Sequence, residues 1–265
     1  MNIDNHSALI TGASAGIGRE FARQLASRSR TLVLVARREQ RLNELRAELV
    51  NRNAQLNVNV RVVDLCDKTQ IDALVDWLEQ SKIEIDLLIN NAGLGDVGPF
   101  ATSPPKRNDE MLQVNILALT TLTRALLPQM ISRKCGAVLN VSSSAGFLPI
   151  PGMDIYAASK AYVNSFTESL RSELHGTGII VSALCPGPVR TEFQGMAQRP
   201  GGKPDDAPSP VYVPVEQVVR DALAAIESGK PVVIPGTLMK LGMFLVRITP
   251  MPILRLAWRL GAKRS

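Results

Sequence analysis

Thr11-Gly12-Ala13-Ser14-Ala15-Gly16-Ile17-Gly18 decides the fold of this chain. It follows at once on the apolar run 7–11 and leads into Arg19-Glu20-Phe21, the opening of a stretch with helical period. A strand that turns into a helix through closely spaced glycines lets the backbone approach a diphosphate, whose charge then rests on the helix N-terminus. In isolation such a cluster marks only a strand-to-helix turn. Between a strand and a helix near the chain start it predicts a dinucleotide-binding unit, with Gly12, Ser14, Gly16, Ile17 and Gly18 as contacts.

Outward from that unit the pattern repeats. Short runs rich in Val, Ile and Leu lie at 7–11, 31–36, 59–63, 86–90, 137–142 and 179–184. Helical-period stretches near 16–28, 39–52, 69–81, 107–133 and 155–175 separate them, each long enough for a crossover. Alternating β and α elements of this kind predict a single α/β domain over 1–265: one Rossmann-like, doubly wound parallel sheet with helices on both faces. Residues 186–214 break the pattern, being dense in Pro and Gly. Placed after the last central strand, they read either as a mobile lid over a substrate or as an irregular linker without ligand contact.

The second strand ends Ala36-Arg37-Arg38, where selectivity for NAD calls for an acid on the ribose hydroxyls. The Arg37 fork suits a 2′-phosphate instead, with Arg38 adding charge and the Ser14 hydroxyl a further contact, so NADP (NADPH) is the expected cofactor. Asp64, closing the third strand, is placed to accept from an adenine amino group while Leu65 covers the ring; it reads equally as a turn cap. Asn90-Asn91-Ala92-Gly93 closes the fourth strand, and its amides with the small Ala92-Gly93 step would let backbone approach the cofactor ribose.

At the chemistry end, Tyr156-Ala157-Ala158-Ser159-Lys160 puts a phenol and an ammonium one helical turn apart. A free phenol titrates near 10, and a neighbouring ammonium favours the phenolate, moving the group towards working range. Only two histidines exist, His6 at the expected frayed start and His175 at a helix end, so tyrosine has little competition as acid–base. The strand 137–142 runs into Ser142-Ser143-Ser144, which presents hydroxyls at the carboxyl edge of the sheet or merely marks a turn.

Together these motifs resemble the short-chain dehydrogenase/reductase family. Thr11 to Gly18 is similar to its TGxxxGxG motif, Asn90 to Gly93 to its NNAG, Tyr156 to Lys160 to its YxxxK, and Pro186-Gly187 to its PG step. Asn115 falls where the family has a helix asparagine, and Ser143 precedes Tyr156 by the spacing of its catalytic serine. The resemblance spans about residues 7–191. It implies carbonyl–alcohol interconversion with Asn115, Ser143, Tyr156 and Lys160 as catalytic residues: Tyr156 the acid–base, Lys160 on the nicotinamide ribose and lowering the Tyr156 pKa, Ser143 on the substrate oxygen, Asn115 positioning a relay water. It further implies cofactor contacts at Asn91, Ala92, Gly93, Pro186, Gly187, Val189 and Thr191, and a homodimer or homotetramer. Phe147 to Tyr162 and Val233-Ile234-Pro235-Gly236 are similar to a bacterial branch near ketoacyl and hydroxysteroid reductases, which implies a small to medium, fairly apolar substrate. The alternative is a dinucleotide-binding sensor or scaffold without catalysis.

The bulk numbers fit. With 45% apolar and 20% charged residues, a folded core is expected. Cys66, Cys135 and Cys185 are widely spaced, so neither disulfides nor a metal site is indicated, and buried free thiols in a reducing cytoplasm are expected. The net charge of +6 argues for no nucleic-acid partner, because residues 228–265 alone hold seven Lys and Arg and no acid, leaving the rest at −1. Within that tail, residues 237–265 mix apolar and basic side chains. No apolar run there can span a bilayer, and Pro250 and Pro252 break the helix. Two short amphipathic helices would either touch the inner face of an anionic membrane peripherally, or turn their apolar face onto the substrate pocket or a subunit interface.

Overall fold

The structure, a computed structural model, describes residues 2–199 and 211–262, with side chains as far as Leu256. Seven parallel strands lie in the order β3-β2-β1-β4-β5-β6-β7: β1 His6–Thr11, β2 Ser29–Ala36, β3 Asn57–Val62, β4 Leu87–Asn90, β5 Gly136–Val141, β6 Ile179–Leu184 and β7 Val232–Val233. The strands alternate inward-facing residues between two cores. Ala8, Ile10, Leu32, Leu34, Leu87, Ile89 and Leu139 face one side, and Leu9, Val33, Val35, Leu88 and Val138 the other. Both faces are apolar because both are covered, as a parallel sheet requires.

On the first face lie α1 (Gly16–Leu25), α2 (Glu39–Arg52) and α8 (Val215–Glu227), contributing Phe21, Leu45 and Val218 among others. On the second lie α3 (Lys68–Gln80), α5 (Leu119–Arg133) and α6 (Asp154–Glu173). A shorter α4 (Pro105–Leu112) joins α5 through a π segment, Gln113–Ala118, so the expected single helix over 107–133 is interrupted in hydrogen-bond register at Asn115. His6 belongs to β1, its ring 3.7 Å from Asp86, and is not frayed. Only Cys185 of the three free cysteines is fully buried; Cys66 and Cys135 are half-buried, because they sit in turns at the sheet rim.

Three elements go beyond the sequence expectation, and the two expected tail helices are present. β7 is only two residues long and has no alternation to detect. The helix α8 carries a clear 3.6-residue apolar period, Val218, Val219, Ala222, Leu223 and Ile226, hidden in the shadow of the Pro-rich stretch before it. One short helix, α7 (Glu192–Ala197), occupies the beginning of the expected lid, whose Pro- and Gly-rich remainder, 200–210, lies outside the described residues. Of the tail helices α9 (Thr237–Ile248) and α10 (Met251–Ala262), α9 rests on the turn after β5.

Chain order reverses between β1 and β4: from β1 it runs outward to β3, then crosses to β4 and continues to β7. The carboxyl ends of these two strands bound the crevice in which an open α/β sheet binds its ligand.

Candidate active site

The glycine-rich turn forms the floor of that crevice. Gly12 has φ +67°, and a side chain there would also meet the Asn91 amide at 2.8 Å. Gly18 is demanded by proximity: a β-carbon would lie 2.4 Å from Asn91 Nδ2 and 2.5 Å from the Gly12 carbonyl. The helix α1 therefore starts hard against the β1 and β4 ends, and its N-cap Ala15 offers no side-chain acceptor, leaving the first N–H groups to an anion. Ile17 anchors the turn against the core. Thr11, passed over as a site residue, ties the turn together: its hydroxyl accepts from the Asn91 and Ala92 N–H groups at 2.9 and 3.0 Å.

Several of the expected contact residues also brace the fold. Asn91 Nδ2 donates to the Thr11 carbonyl at 2.8 Å, so its amide nitrogen braces two loops. Leu65 is buried in the core beneath the sheet, because the chain turns inward after β3; only its backbone remains for an adenine. Asp64 Oδ1 caps the following turn at the Cys66 N–H, 3.0 Å, while Oδ2 lies 3.9 Å from Arg37.

At the end of β2 the cations are shared with carboxylates. Arg38 Nε donates to Ser14 Oγ at 3.2 Å, and its fork also grips Glu192 at 2.8 Å. Arg41, one turn into α2, grips the same carboxylate at 2.5 Å. Neither Arg41 nor Glu192 carried a signal in the linear sequence, since the pairing joins residues 151 positions apart. The end of β2 and the start of α2 thus carry three guanidinium groups, Arg37 near Asp64, Arg38 on Ser14 and Glu192, and Arg41 on Glu192, a donor set that fits a 2′-phosphate.

At the other end of the crevice, α6 carries Tyr156 and Lys160, both buried. The Tyr156 phenol is hydrogen-bonded to Ser143, which also accepts from the Ala145 N–H at 3.1 Å. Lys160 Nζ donates to the Val141 carbonyl at 2.9 Å, and a β-carbon on Gly93 would lie 3.4 Å from it and 3.5 Å from Asn115 Oδ1. The amine therefore faces the turn after β4. Burial pushes Tyr156 up to about 12, with the Ser143 hydrogen bond acting against it, and pushes Lys160 down to about 8. This corrects the expected acidic phenol: the ammonium is 5.8 Å from the ring centroid and desolvation dominates. In this state Tyr156 is a neutral proton donor.

Asn115 is likewise a strut. Its Oδ1 accepts from Leu94 N–H at 2.8 Å, and its Nδ2 donates to the Leu94 carbonyl and to Ser159 Oγ at 2.9 and 3.0 Å. Ser142 Oγ donates to the Lys160 carbonyl at 3.0 Å and steadies α6 from below.

Pro186 accepts from the Ser144 N–H at 2.9 Å, Gly187 lies under Met239 of α9, and Val189 is buried in the core. Thr191 caps α7 and lies over Gly16, 3.2 Å from the position of a β-carbon there. Phe193 follows, its ring 5.6 Å from that of Tyr156. Leu94, Ile150 and Met153 complete an apolar surround, next to a cavity of about 480 Å³ walled by Phe147, Leu148, Pro149 and Ile150.

The family model described as short chain dehydrogenase matches residues 6–200. The chain belongs to the short-chain dehydrogenase family. This dehydrogenase is 40% identical over 191 residues to sulfoacetaldehyde reductase 2 of Chromohalobacter salexigens, covering 70% of this chain and 73% of that one. It superimposes with a TM-score of 0.80 at 33% identity on a short-chain dehydrogenase from Sphingobium yanoikuyae in complex with NADPH, covering 93% and 97% of the two chains. A family member from Burkholderia phymatum in complex with NAD matches with the same TM-score at 26% identity, covering 92% and 94%. The dehydrogenase is an oxidoreductase that interconverts a carbonyl and an alcohol.

Proposed function

We propose that this dehydrogenase reduces a small to medium, fairly apolar ketone or aldehyde with NADPH, and performs the reverse oxidation with NADP. The convergence of the Tyr156 phenol, the Ser143 hydroxyl and the Lys160 amine beside the Gly93 turn carries the reading. The open N-terminus of α1 and the glycine turn would hold the pyrophosphate, and Ser14, Arg37, Arg38 and Arg41 the 2′-phosphate. When bound, the nicotinamide supplies or takes up the hydride.

The chain's own residues handle the proton and the oxygen. Ser143 holds the carbonyl oxygen against Tyr156, whose neutral phenol transfers its proton to that oxygen as the alcohol forms. Lys160 binds the ribose side, and its positive charge stabilises the phenolate left behind. Asn115 keeps the Leu94 loop and α6 in register, so that these atoms meet. The apolar wall of Phe147, Ile150, Met153 and Phe193 supports an apolar substrate and excludes water.

Three unpaired thiols support a reducing, cytoplasmic setting. Exposed Leu112, Leu117 and Tyr162 on neighbouring helices support a homodimer or homotetramer.

The test is an NADPH and NADH fluorescence titration followed by a panel of ketones. Tight NADPH binding with turnover of apolar ketones is expected, and Arg37→Ala with Arg38→Ala should weaken NADPH far more than NADH. Binding with no turnover of any carbonyl would favour the non-catalytic sensor instead.

A further inference from the structure

We propose that α9 and α10 form a docking surface for an anionic lipid bilayer. Of the 17 large apolar side chains exposed among the described residues, eight lie between 238 and 256: Leu238, Leu241, Phe244, Leu245, Ile248, Met251, Ile253 and Leu256. On α9 they follow the spacings 238, 241, 245 and 248, which is one helical face, and Phe244 widens it. The opposite face, with Met239, rests on Gly187. No residue of α9 is fully buried, so its apolar side chains are spent mostly on the outside.

This outcome removes one of the alternatives left by the sequence. The apolar face does not turn onto the substrate pocket; it points away from the body. Exposed Lys240 and Arg247 flank the stripe on one edge of α9, and Arg255 follows on α10. Such an arrangement lets apolar side chains enter the headgroup region while cations reach the phosphates.

Charge selects the occupant. Residues 228–265 hold seven Lys and Arg and no acid, against −1 for the remainder. A symmetric contact between two copies through this face would set one cationic segment against another. An anionic bilayer complements both the charge and the apolar stripe, and the nearly neutral body adds no competing attraction. Neither helix can span: α9 and α10 have 12 residues each, divided at Thr249 and Pro250.

The placement also links the surface to the site. α9 rests on the turn Ser144–Phe147 directly after Ser143, and Arg247 stacks over the Phe147 ring at 5.6 Å. Phe147 is at the same time a wall of the apolar cavity, so a bilayer-dissolved carbonyl compound would have a short path to Tyr156. That last step rests on the proposed apolar substrate, whereas the docking surface does not.

The full-length protein is to be co-sedimented with vesicles of phosphatidylcholine alone and of phosphatidylcholine mixed with phosphatidylglycerol. Wild type is expected to pellet with the mixed vesicles and to be released by high salt. The exposed double variant Leu241→Glu/Leu245→Glu should lose about tenfold in vesicle partitioning while keeping wild-type circular dichroism and ketone reduction in solution. Equal pelleting on both lipids, no pelleting on either, or undiminished pelleting of the double variant would overturn the proposal. So would a concentration-dependent dimer abolished by the same substitutions, which would identify a second copy as the occupant. Failure of every ketone screen would refute the enzymatic reading and leave this result intact.

Discussion

Burial works on Tyr156 and Lys160 in opposite senses: it keeps the phenol protonated and discourages the ammonium. The two shifts appear in stability as well as in chemistry. Lys160 has a folded value of about 8 against an ordinary 10.5, so the unfolded chain binds its proton more tightly. Below 8 folding carries the full cost, and the Lys160 contribution to stability climbs as pH rises from about 8 towards 10.5, by on the order of 3 kcal/mol. Tyr156 acts afterwards with the reverse sign: its folded value of about 12 exceeds the ordinary 10.0, so stability falls between those two values. Burial also raises two thiols, Cys66 to about 11 and Cys185 to about 12, which pulls stability down from about pH 9 upward, so the Lys160 contribution is read as a difference: urea midpoints of the cofactor-free wild type should gain on those of Lys160→Met between pH 8 and 10. A constant gap between the two proteins over that window would show that the amine is not desolvated.

At the level of the element, α7 joins the two ends of the crevice. Its cap Thr191 lies over Gly16, its first residue Glu192 is held by Arg38 and Arg41, and the next, Phe193, packs on Tyr156. Glu192 thus occupies the guanidinium groups that a 2′-phosphate would use. Glu192→Gln is expected to tighten NADPH binding a few-fold and leave NADH unchanged, in a fluorescence titration at low salt; equal effects on the two would remove Glu192 from cofactor discrimination. The core helix α5 makes a separate prediction: Leu122 is completely buried against the sheet, so Leu122→Ala should cost about 2–5 kcal/mol by urea denaturation. Element types were largely legible in the linear sequence, because alternating apolar runs and glycine turns are local signals. The π segment at Asn115, the two-residue β7 and the Arg38–Glu192–Arg41 clamp were not, since each depends on tertiary contacts between distant residues.

Across the whole molecule the site residues come from eight regions brought to one sheet edge: the turn after β1, the ends of β2, β3 and β4, the π segment, the turn after β5, α6, and the segment after β6 that leads into α7. Tyr156, Lys160 and Ser143 were legible because their spacing is fixed by a helix turn and by a short β5–α6 connection. The supporting roles of Thr11, Asn91 and Asn115 emerged only with the fold, because a side-chain amide does not announce whether it meets a ligand or a backbone. Ligand binding to so dispersed a set should stabilise the whole domain: at 100 times its Kd, NADPH is expected to add about 2.7 kcal/mol, read as a raised Tm, and NADH less at equal concentration.

The most direct test of the central claim is single-turnover oxidation of bound NADPH by an apolar ketone, compared between wild type and Tyr156→Phe. Loss of the phenolic proton is expected to slow the step by about 10²–10⁴-fold with NADPH affinity unchanged. A variant that reduces the ketone at the wild-type rate would show that the proton comes from elsewhere.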